Sequence, residues 1–562
     1  MQQESGNISE VVDQYAAKHL SRRDVMKRAG LLGIAASAVG PLLAACTSSG
    51  SSGTGSSTAS GSQAAVGTPK TGGTFREGYD RDFTPPNPVA NSWADPDYNA
   101  LFEALVMRNP EGQIVPMLAD SFTSGPTGWT FHLRSGLKYQ LGAPLTPASV
   151  VEDFNIFRNP KIAQNPPFWT PIYNVTNDGQ TIICKTKGPF QAFQETVVTE
   201  YSYIMNPATW KAQGAKYGTQ PTDGTGPFTL TSYVPGQHVI ASRWEDYPGS
   251  IVPFFTNKGK AYLNQIEWIP ITQASQRAPQ IQTGLVDAIK NPPPQDVATL
   301  KANQSLVVQE FQELSNFFLS VNMGDETLGF DDLRVRQAIS HAIDRQAIVS
   351  SIFLGHAAAT YGPVMTRWKW YNPAVEQYNQ YDTAKAGQLL DEAGWKMGSN
   401  GVRVKNGTPM AFTTYNLTDD TQNQVLQAVS QMLAKVGIQM TVQSLASAAF
   451  YPKLTNKTTA YAFKWLWSSP IDVVALFVQF YQPELAALKP VYDAFTAWQT
   501  AGNTAQLQQA AMAYQTTFAQ LIPLIPLYTQ NTIWVHKQNV VGWQPNQANL
   551  YPFYNDVWLQ NA

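Results

Sequence analysis

The chain has 562 residues, more than one hydrophobic core usually organises, so two or three lobes are expected. Net charge is −2, only 14% of residues are charged, and no basic block of the kind that tracks a nucleic-acid backbone occurs. Two cysteines, Cys46 and Cys184, and six scattered histidines without HxxxH or HExxH spacing offer no sequence-local metal site, and no cofactor is expected. The 15 Trp, 24 Tyr and 26 Phe are mostly core material, but flat faces with polar edges also line peptide and carbohydrate clefts.

Ser21-Arg22-Arg23-Asp24-Val25-Met26-Lys27 resembles a twin-arginine export signal, with Val25 where an aromatic usually stands. The apolar stretch 29–45 is interrupted by Gly33, Gly40 and Pro41 and is too short for a comfortable membrane span. It ends Leu43-Ala44-Ala45-Cys46, which resembles a bacterial lipobox. Residues 1–45 are thus expected to be a signal peptide, and Cys46 to carry a diacylglycerol anchor to the cell membrane. Two acyl chains, at about 0.8 kcal/mol per buried methylene, suffice to hold a protein on a membrane surface. Cys184 then lacks an intramolecular partner, and no internal disulfide is expected. Residues 46–71, rich in Ser, Gly, Thr and Ala, read as a flexible tether.

In chain order, Gly73 to Tyr79 reads as a first strand, and residues 98–107 read as a helix. Trp129, Phe131 and Leu133 alternate along a strand. Thr146 caps a helix that opens with Pro147 and buries Val150, Phe154 and Phe157. Residues 165–173 (NPPFWTPIY) form a proline-rich loop in which Trp169 is a candidate ligand contact. Gly224-Thr225-Gly226-Pro227 reads as a turn and not a phosphate cradle, because no helix follows it. Pro279 sits where a helix is expected, so that helix should start near Pro279 or kink there. Phe317 to Val321 is a strand. Asp331 or Asp332, Asp344, Asp382 and Asp419 or Asp420 cap successive helices, with Gly355, Gly394 and Gly437 closing three of them. Ile438, Met440 and Val442 alternate as a strand, and helix, glycine, strand is α/β wiring.

Two of these passages carry a resemblance. Phe330 to Arg345 (FDDLRVRQAISHAIDR) is similar to a signature of family 5 extracellular solute-binding proteins, the oligopeptide, dipeptide and nickel binders of ABC importers. Leu118-Ala119-Asp120-Ser121, Thr130-Phe131-His132-Leu133-Arg134 and Gly142-Ala143-Pro144-Leu145-Thr146 resemble a second signature of that family. The resemblance implies an α/β, two-lobed periplasmic-binding-protein fold (type II-like) with an extra subdomain and a two-strand hinge. One lobe would comprise 72–97, 215–315 and 522–562, the subdomain 98–214, and the second lobe 316–521. The hinge strands would lie near 317–322 and 525–529. Lobe closure would capture a solute and deliver it to a permease and ATPase complex, and a monomer outside the cytoplasm is expected.

The stretch Tyr461-Ala462-Phe463-Lys464-Trp465-Leu466-Trp467-Ser468-Ser469-Pro470-Ile471-Asp472 bears on specificity. In peptide-binding relatives an aspartate here holds the ligand ammonium, and that place falls on Pro470. Asp472 is the nearest substitute, and Lys464 reads as a solvated or rim residue. Trp465, Trp467, Trp368 and Trp370 form candidate aromatic platforms. An oligosaccharide or other neutral solute is therefore favoured over a free peptide. The runner-up is a peptide receptor with Asp472 as the amine anchor. A secreted glycosidase or other hydrolase is the alternative of another class, but no GxSxG elbow or HExxH motif lies in the folded region, so no catalytic residue is assigned and the chain is read as a non-enzyme.

Overall fold

The structure is a computed structural model that describes residues 67–90, 95–125, 127–163, 169, 172–188, 193, 197–198, 200–313, 315–368, 370–454, 458–466, 486–545 and 551–561. The chain starts with β1 (Thr74–Tyr79) and then builds a four-stranded antiparallel sheet from β2 (Ala119–Gly125), β3 (Gly128–Leu133), β4 (Ile172–Asp178) and β5 (Thr181–Thr186), in the order β2-β3-β5-β4. Trp129, Phe131 and Leu133 point inward from β3. Helix α1 (Pro147–Phe157) starts with a reciprocal cap, in which Thr146 Oγ1 accepts from Ser149 N and Ser149 Oγ accepts from Thr146 N. Local sequence decides this start, because the capping box and Pro147 satisfy or remove donors that the first turn leaves open.

The helix expected over 98–107 extends only over Tyr98–Leu101. Phe102 is extended, and Val106–Arg108 is a short strand. The turn at 224–226 explains the early stop. Gly226 N donates to Leu101 O at 3.0 Å, and Glu103 N donates to Thr225 Oγ1 at 2.9 Å. A Cβ at Gly224 would stand 2.2 Å from Leu101 O, and one at Gly226 would stand 2.3 Å from Ala100 O. These glycines therefore serve backbone-to-backbone approach.

Strands β6 (Phe228–Val234), β7 (His238–Arg243) and β8 (Gln265–Pro270) lead to α2 (Ala274–Thr283), β9 (Ala288–Lys290), α3 (Val297–Ala302) and β10 (Leu306–Gln312). Helix α2 begins five residues before Pro279, not at it. Ser275, whose carbonyl lacks its usual donor four residues on, is exposed, so solvent can serve it. Next come β11 (Ser315–Val321), α4 (Leu333–His341), α5 (Arg345–Ser351), β12 (Ala357–Ala359) and α6 (Thr383–Glu392). They are followed by β13 (Ala411–Leu417), α7 (Asp420–Ala434), β14 (Gln439–Leu445), β15 (Ala460–Leu466), α8 (Thr504–Leu521) and β16 (Ile525–Lys537). The side chains of Asp332, Asp344, Asp382 and Asp419 each accept a first-turn amide of α4, α5, α6 and α7.

The central sheet runs β14-β13-β15-β11-β16-β9-β1-β8-β7-β6, with β10 and β12 also paired to β16. Strand β16 is 13 residues long and joins two halves. Its first part pairs with β11 and β12, and Asn531 to Lys537 pairs with β10. The second connection is direct, from Gln312 at the end of β10 to Ser315 at the start of β11. A large core runs through both halves, from Phe75 and Trp268 to Phe318 and Trp370, and each half adds a core of its own. Phe317, Leu319, Val335, Ile339, Ile343, Leu433 and Leu527 share one core, while Ile271, Ile289, Leu300 and Val535 share another.

Candidate ligand-binding site

In an α/β sheet a ligand crevice lies beyond the carboxyl ends of parallel strands. Here β1 runs parallel to β8 and β9, and β13 runs parallel to β14 and β15. The first group ends at Asp80, Ile271 and Asn291, and the second ends next to Asp419 and the end of β15. The crossing residue Glu313 lies beside the second group.

Arg277 ties the first set of ends together. Its guanidinium donates to Ile271 O (2.8 Å), Asn291 O (2.6 Å), Thr272 O (3.1 Å) and Asp80 O (3.2 Å). Lys290 Nζ stands 3.8 Å from Asp80 Oδ1 and donates to Tyr79 Oη at 3.1 Å. It also lies 4.7 Å from the Tyr79 ring centroid and 5.5 Å from that of Trp534, a cation–π cradle. Asn291 Nδ2 donates to Asp80 Oδ2 at 2.6 Å. Burial would raise the Asp80 carboxyl, but the cations of Lys290, Arg277, Lys464 and Arg81 outweigh it and hold it at about 2.

Lys464 lies on the other half, where its Nζ pairs with Glu313 at 2.7 Å, and its charge is one of those that act on Asp80. Its side chain is 20% exposed and that of Glu313 is 5% exposed, so Lys464 is not the solvated rim residue expected. An unpaired ammonium would not be stable in that surrounding, and its partner is 151 positions away, beyond the reach of a local sequence reading. Arg277 also feels the charge of Asp419 across the two halves. One ion pair, Lys290 with Asp80, thus stands at the strand ends of the first half, and another, Lys464 with Glu313, stands at those of the second.

The tryptophans expected at the site behave differently. Trp169 is fully buried: it stacks on Phe157 (5.9 Å), lies 4.8 Å from Phe154 and donates Nε1 to Tyr201 O at 3.0 Å. It fills the core beside α1 and presents no face to solvent. Trp370 is 8% exposed and belongs to the core, and Trp368 packs against that core. The backbone of Trp465 pairs with Asn316 in β15–β11. Trp467, Pro470, Asp472 and Cys46 lie outside the described residues. Among the described residues no group of three His, Cys, Asp or Glu side chains could hold a metal ion.

The arginines of the 330–345 stretch serve architecture. Arg345 donates to Pro526 O on β16 (2.7 Å), Ser340 O (3.0 Å), Asn379 O (3.2 Å) and Ser340 Oγ (2.8 Å). Arg336 donates to Leu521 O (2.9 Å), Phe330 O (2.8 Å) and Asp331 O (2.9 Å). Both fix the return of the chain from α8 into β16. Burial pulls both guanidiniums down to about 10.

The chain matches the family model of bacterial extracellular solute-binding proteins, family 5 Middle, over residues 113–486, more than half of its length. It is 26% identical over 488 residues to the glutathione-binding protein GsiB of Shigella boydii serotype 4, covering 83% of this chain and 88% of that protein. Among solved structures it resembles the oligopeptide-binding protein AppA from Bacillus subtilis, in complex with a nonapeptide, with TM-score 0.75, 21% identity and coverage of 88% of this chain and 100% of that one. It also resembles NikA from Brucella suis, in complex with Fe(III)-EDTA, with TM-score 0.74, 20% identity and coverage of 87% and 100%. The fold is the two-lobed α/β fold of these proteins, and the chain is a binding protein and not an enzyme. The chain belongs to the bacterial extracellular solute-binding proteins of family 5.

Proposed function

We propose that this protein is the extracytoplasmic receptor of an ABC importer and captures a small solute that carries charges of both signs, of the peptide or glutathione type. The observation that carries the reading is the two ion pairs, Lys290 with Asp80 and Lys464 with Glu313, one from each half at the strand ends. Charges taken out of water need opposite partners, and a zwitterionic solute can bind between two such pairs with its own two charges matched. The reading agrees with a curated relative named for glutathione and with similar structures that hold a nonapeptide or the peptide STSA, the latter an ABC transporter-associated protein from Helicobacter pylori.

The lobes of this reading are 72–97 with 215–315 and 522–562, and 316–521, with the subdomain 98–214 on the first. They rotate about the Gln312–Ser315 connection and the middle of β16. Two short connections let a rigid rotation close the lobes, because few residues must change their dihedral angles. The protein acts as a monomer and hands its solute to a permease.

Isothermal titration of the wild type with glutathione, tripeptides and neutral oligosaccharides tests this directly. The zwitterions should bind. Lys464→Met should weaken them at least about tenfold, as expected when a charge-assisted hydrogen bond is lost. The double change Glu313→Gln with Lys464→Met controls for the carboxylate left without its partner. Binding of oligosaccharides alone, unaffected by Lys464→Met, would overturn the reading in favour of a neutral solute held on Trp465 and Trp467. Binding of peptides that depends on Asp472 and not on Lys464 would move the amine anchor to Asp472.

The same reading places a lipid anchor on Cys46, after export by a twin-arginine-type signal. Cys46→Ser should shift the protein from the membrane fraction to the soluble extracytoplasmic fraction. Retention on the membrane would remove the anchor from the proposal.

A further inference from the structure

A second charged cluster joins the crossing strands around Glu310. Glu310 lies on β10, two residues before its end. Its Oε2 accepts from Lys301 Nζ of α3 at 2.9 Å, within the same half of the sheet. Its Oε1 accepts from Asn531 Nδ2 at 2.8 Å, and His356 Nδ1 stands 2.6 Å from the same oxygen. His356 belongs to the other half, in the turn between α5 and β12. That turn has left-handed backbone at Leu354 (φ 52°) and Gly355 (φ 88°). The carbonyl of His356 accepts from Asn531 N at 2.9 Å. Histidine 356, Asn531 and Glu310 therefore close a ring. Asn531 sits where β16 passes from β12 to β10.

The partners restrict what this ring can do. Both oxygens of Glu310 serve as acceptors, so His356 Nδ1 must carry the hydrogen, whatever the state of Nε2. Burial would raise the Glu310 carboxyl, but its bonds to Lys301, Asn531 and His356 hold it at about 2. Glu310 is thus ionised throughout the neutral range. The charges that act on it are those of Lys301 and His356. Arg367, the nearest charged group on the 366–368 segment, faces Phe311 and the Gln312 carbonyl. The imidazole of His356 can make this contact either as a neutral or as a charged ring.

We propose that His356 is a positioning residue for lobe closure and makes the stiffness of the hinge depend on proton concentration. With an imidazolium the His356–Glu310 contact is charge-assisted and holds the turn of the second lobe against β10. With a neutral imidazole the hydrogen bond persists without its charge, and the crossing loosens. Low pH therefore favours the lobe arrangement described here, and rising pH eases rotation and release. The inference rests on the closure reading above, but its test needs no ligand.

The experiment compares the full chain, His356→Gln and Glu310→Gln at pH 5.5 and 8.0, by hydrogen exchange of the segment containing Asn531 and by small-angle scattering. Exchange is corrected for the intrinsic effect of pH. In the wild type, protection at Asn531 should fall about threefold to tenfold from pH 5.5 to 8.0, the difference between a charge-assisted and a neutral bond. The scattering profile should broaden in parallel. Both variants should show the lower protection at both pH values. An unchanged wild type, or a His356→Gln protein that keeps the pH response, would overturn the proposal. Neither result bears on whether the lobes close on a solute, which the titrations decide separately.

Discussion

Arg345→Ala is expected to lower the stability of the protein by about 3 kcal/mol or more, read as a shift in the urea midpoint at constant slope. Arg345 is 1% exposed, and its charge has no carboxylate partner among the described residues. Its worth lies in the carbonyls it serves at Pro526, Ser340, Ile343 and Asn379. Alanine would leave these acceptors with fewer donors and open a cavity, and each buried acceptor left unmet costs about 1–3 kcal/mol. Lysine retains a charge but donates at most three bonds from one point, so Arg345→Lys should recover only part of the loss. A loss under about 1 kcal/mol would mean that other groups hold β16 in place.

A second large effect concerns pH. Glu77 is fully buried on β1. Its Oε2 accepts from Tyr554 Oη at 2.7 Å, and Tyr554 in turn accepts from Trp268 Nε1. Burial raises its carboxyl to about 7, despite the opposing Tyr554 and Trp268 bonds and the Lys290 charge. Glu103, buried with its Oε1 accepting from Tyr247 Oη, is likewise raised to about 7. Between an unfolded value of about 4.3 and the folded value, the folded chain holds the extra proton. Stability therefore falls as pH rises from about 4.3 to 7 and levels off above, by something on the order of 3 kcal/mol for each group.

Glu77→Gln should flatten this slope. The amide stays neutral and still accepts from Tyr554, while its new donor, at the position where Glu77 Oε1 has no partner, costs a little at every pH. The variant should be slightly weaker than wild type at pH 4.5 and more stable at pH 8. Parallel curves would show that Glu77 does not titrate in this window. Asp80 and Glu310, both held at about 2, act in a separate range. Their contribution is complete above about pH 4 and is lost only as pH falls toward 2.

What could be read from the sequence follows from how local each cause is. Thr146, Asp332, Asp344, Asp382 and Asp419 cap helices through atoms two or three residues away, so the residue type in its position sufficed. The 330–345 stretch was legible as a signature but not as a device, because the carbonyls that Arg336 and Arg345 serve at Leu521 and Pro526 are more than 180 positions distant. The stretch 98–107 places Tyr98, Leu101, Phe102, Leu105 and Val106 at helical spacing, yet a turn at 224–226 decides its fate. Trp169 is long and aromatic in a proline-rich loop, which suits a ligand contact and a core plug equally until Phe154 and Phe157 are placed beside it. Lys464 shows the same limit for charge. A lysine between Phe463 and Trp465 in an apolar strand signals a buried partner, but only the fold identifies Glu313.

The 13-residue strand β16 has a consequence for the order in which this protein is made. It contributes to both halves of the sheet, yet it follows every strand it pairs with, at Ile525–Lys537. During synthesis domains tend to fold as they emerge, from the N-terminus onward. Here β9 and β10 in one half, and β11 and β12 in the other, keep an open edge until residues 525–537 leave the ribosome. Several hundred residues with exposed strand edges must therefore wait for one late segment. A nascent chain arrested before residue 525 should be a persistent client of chaperones, and release of β16 together with the segment that carries Tyr551 and Tyr554 should complete both halves.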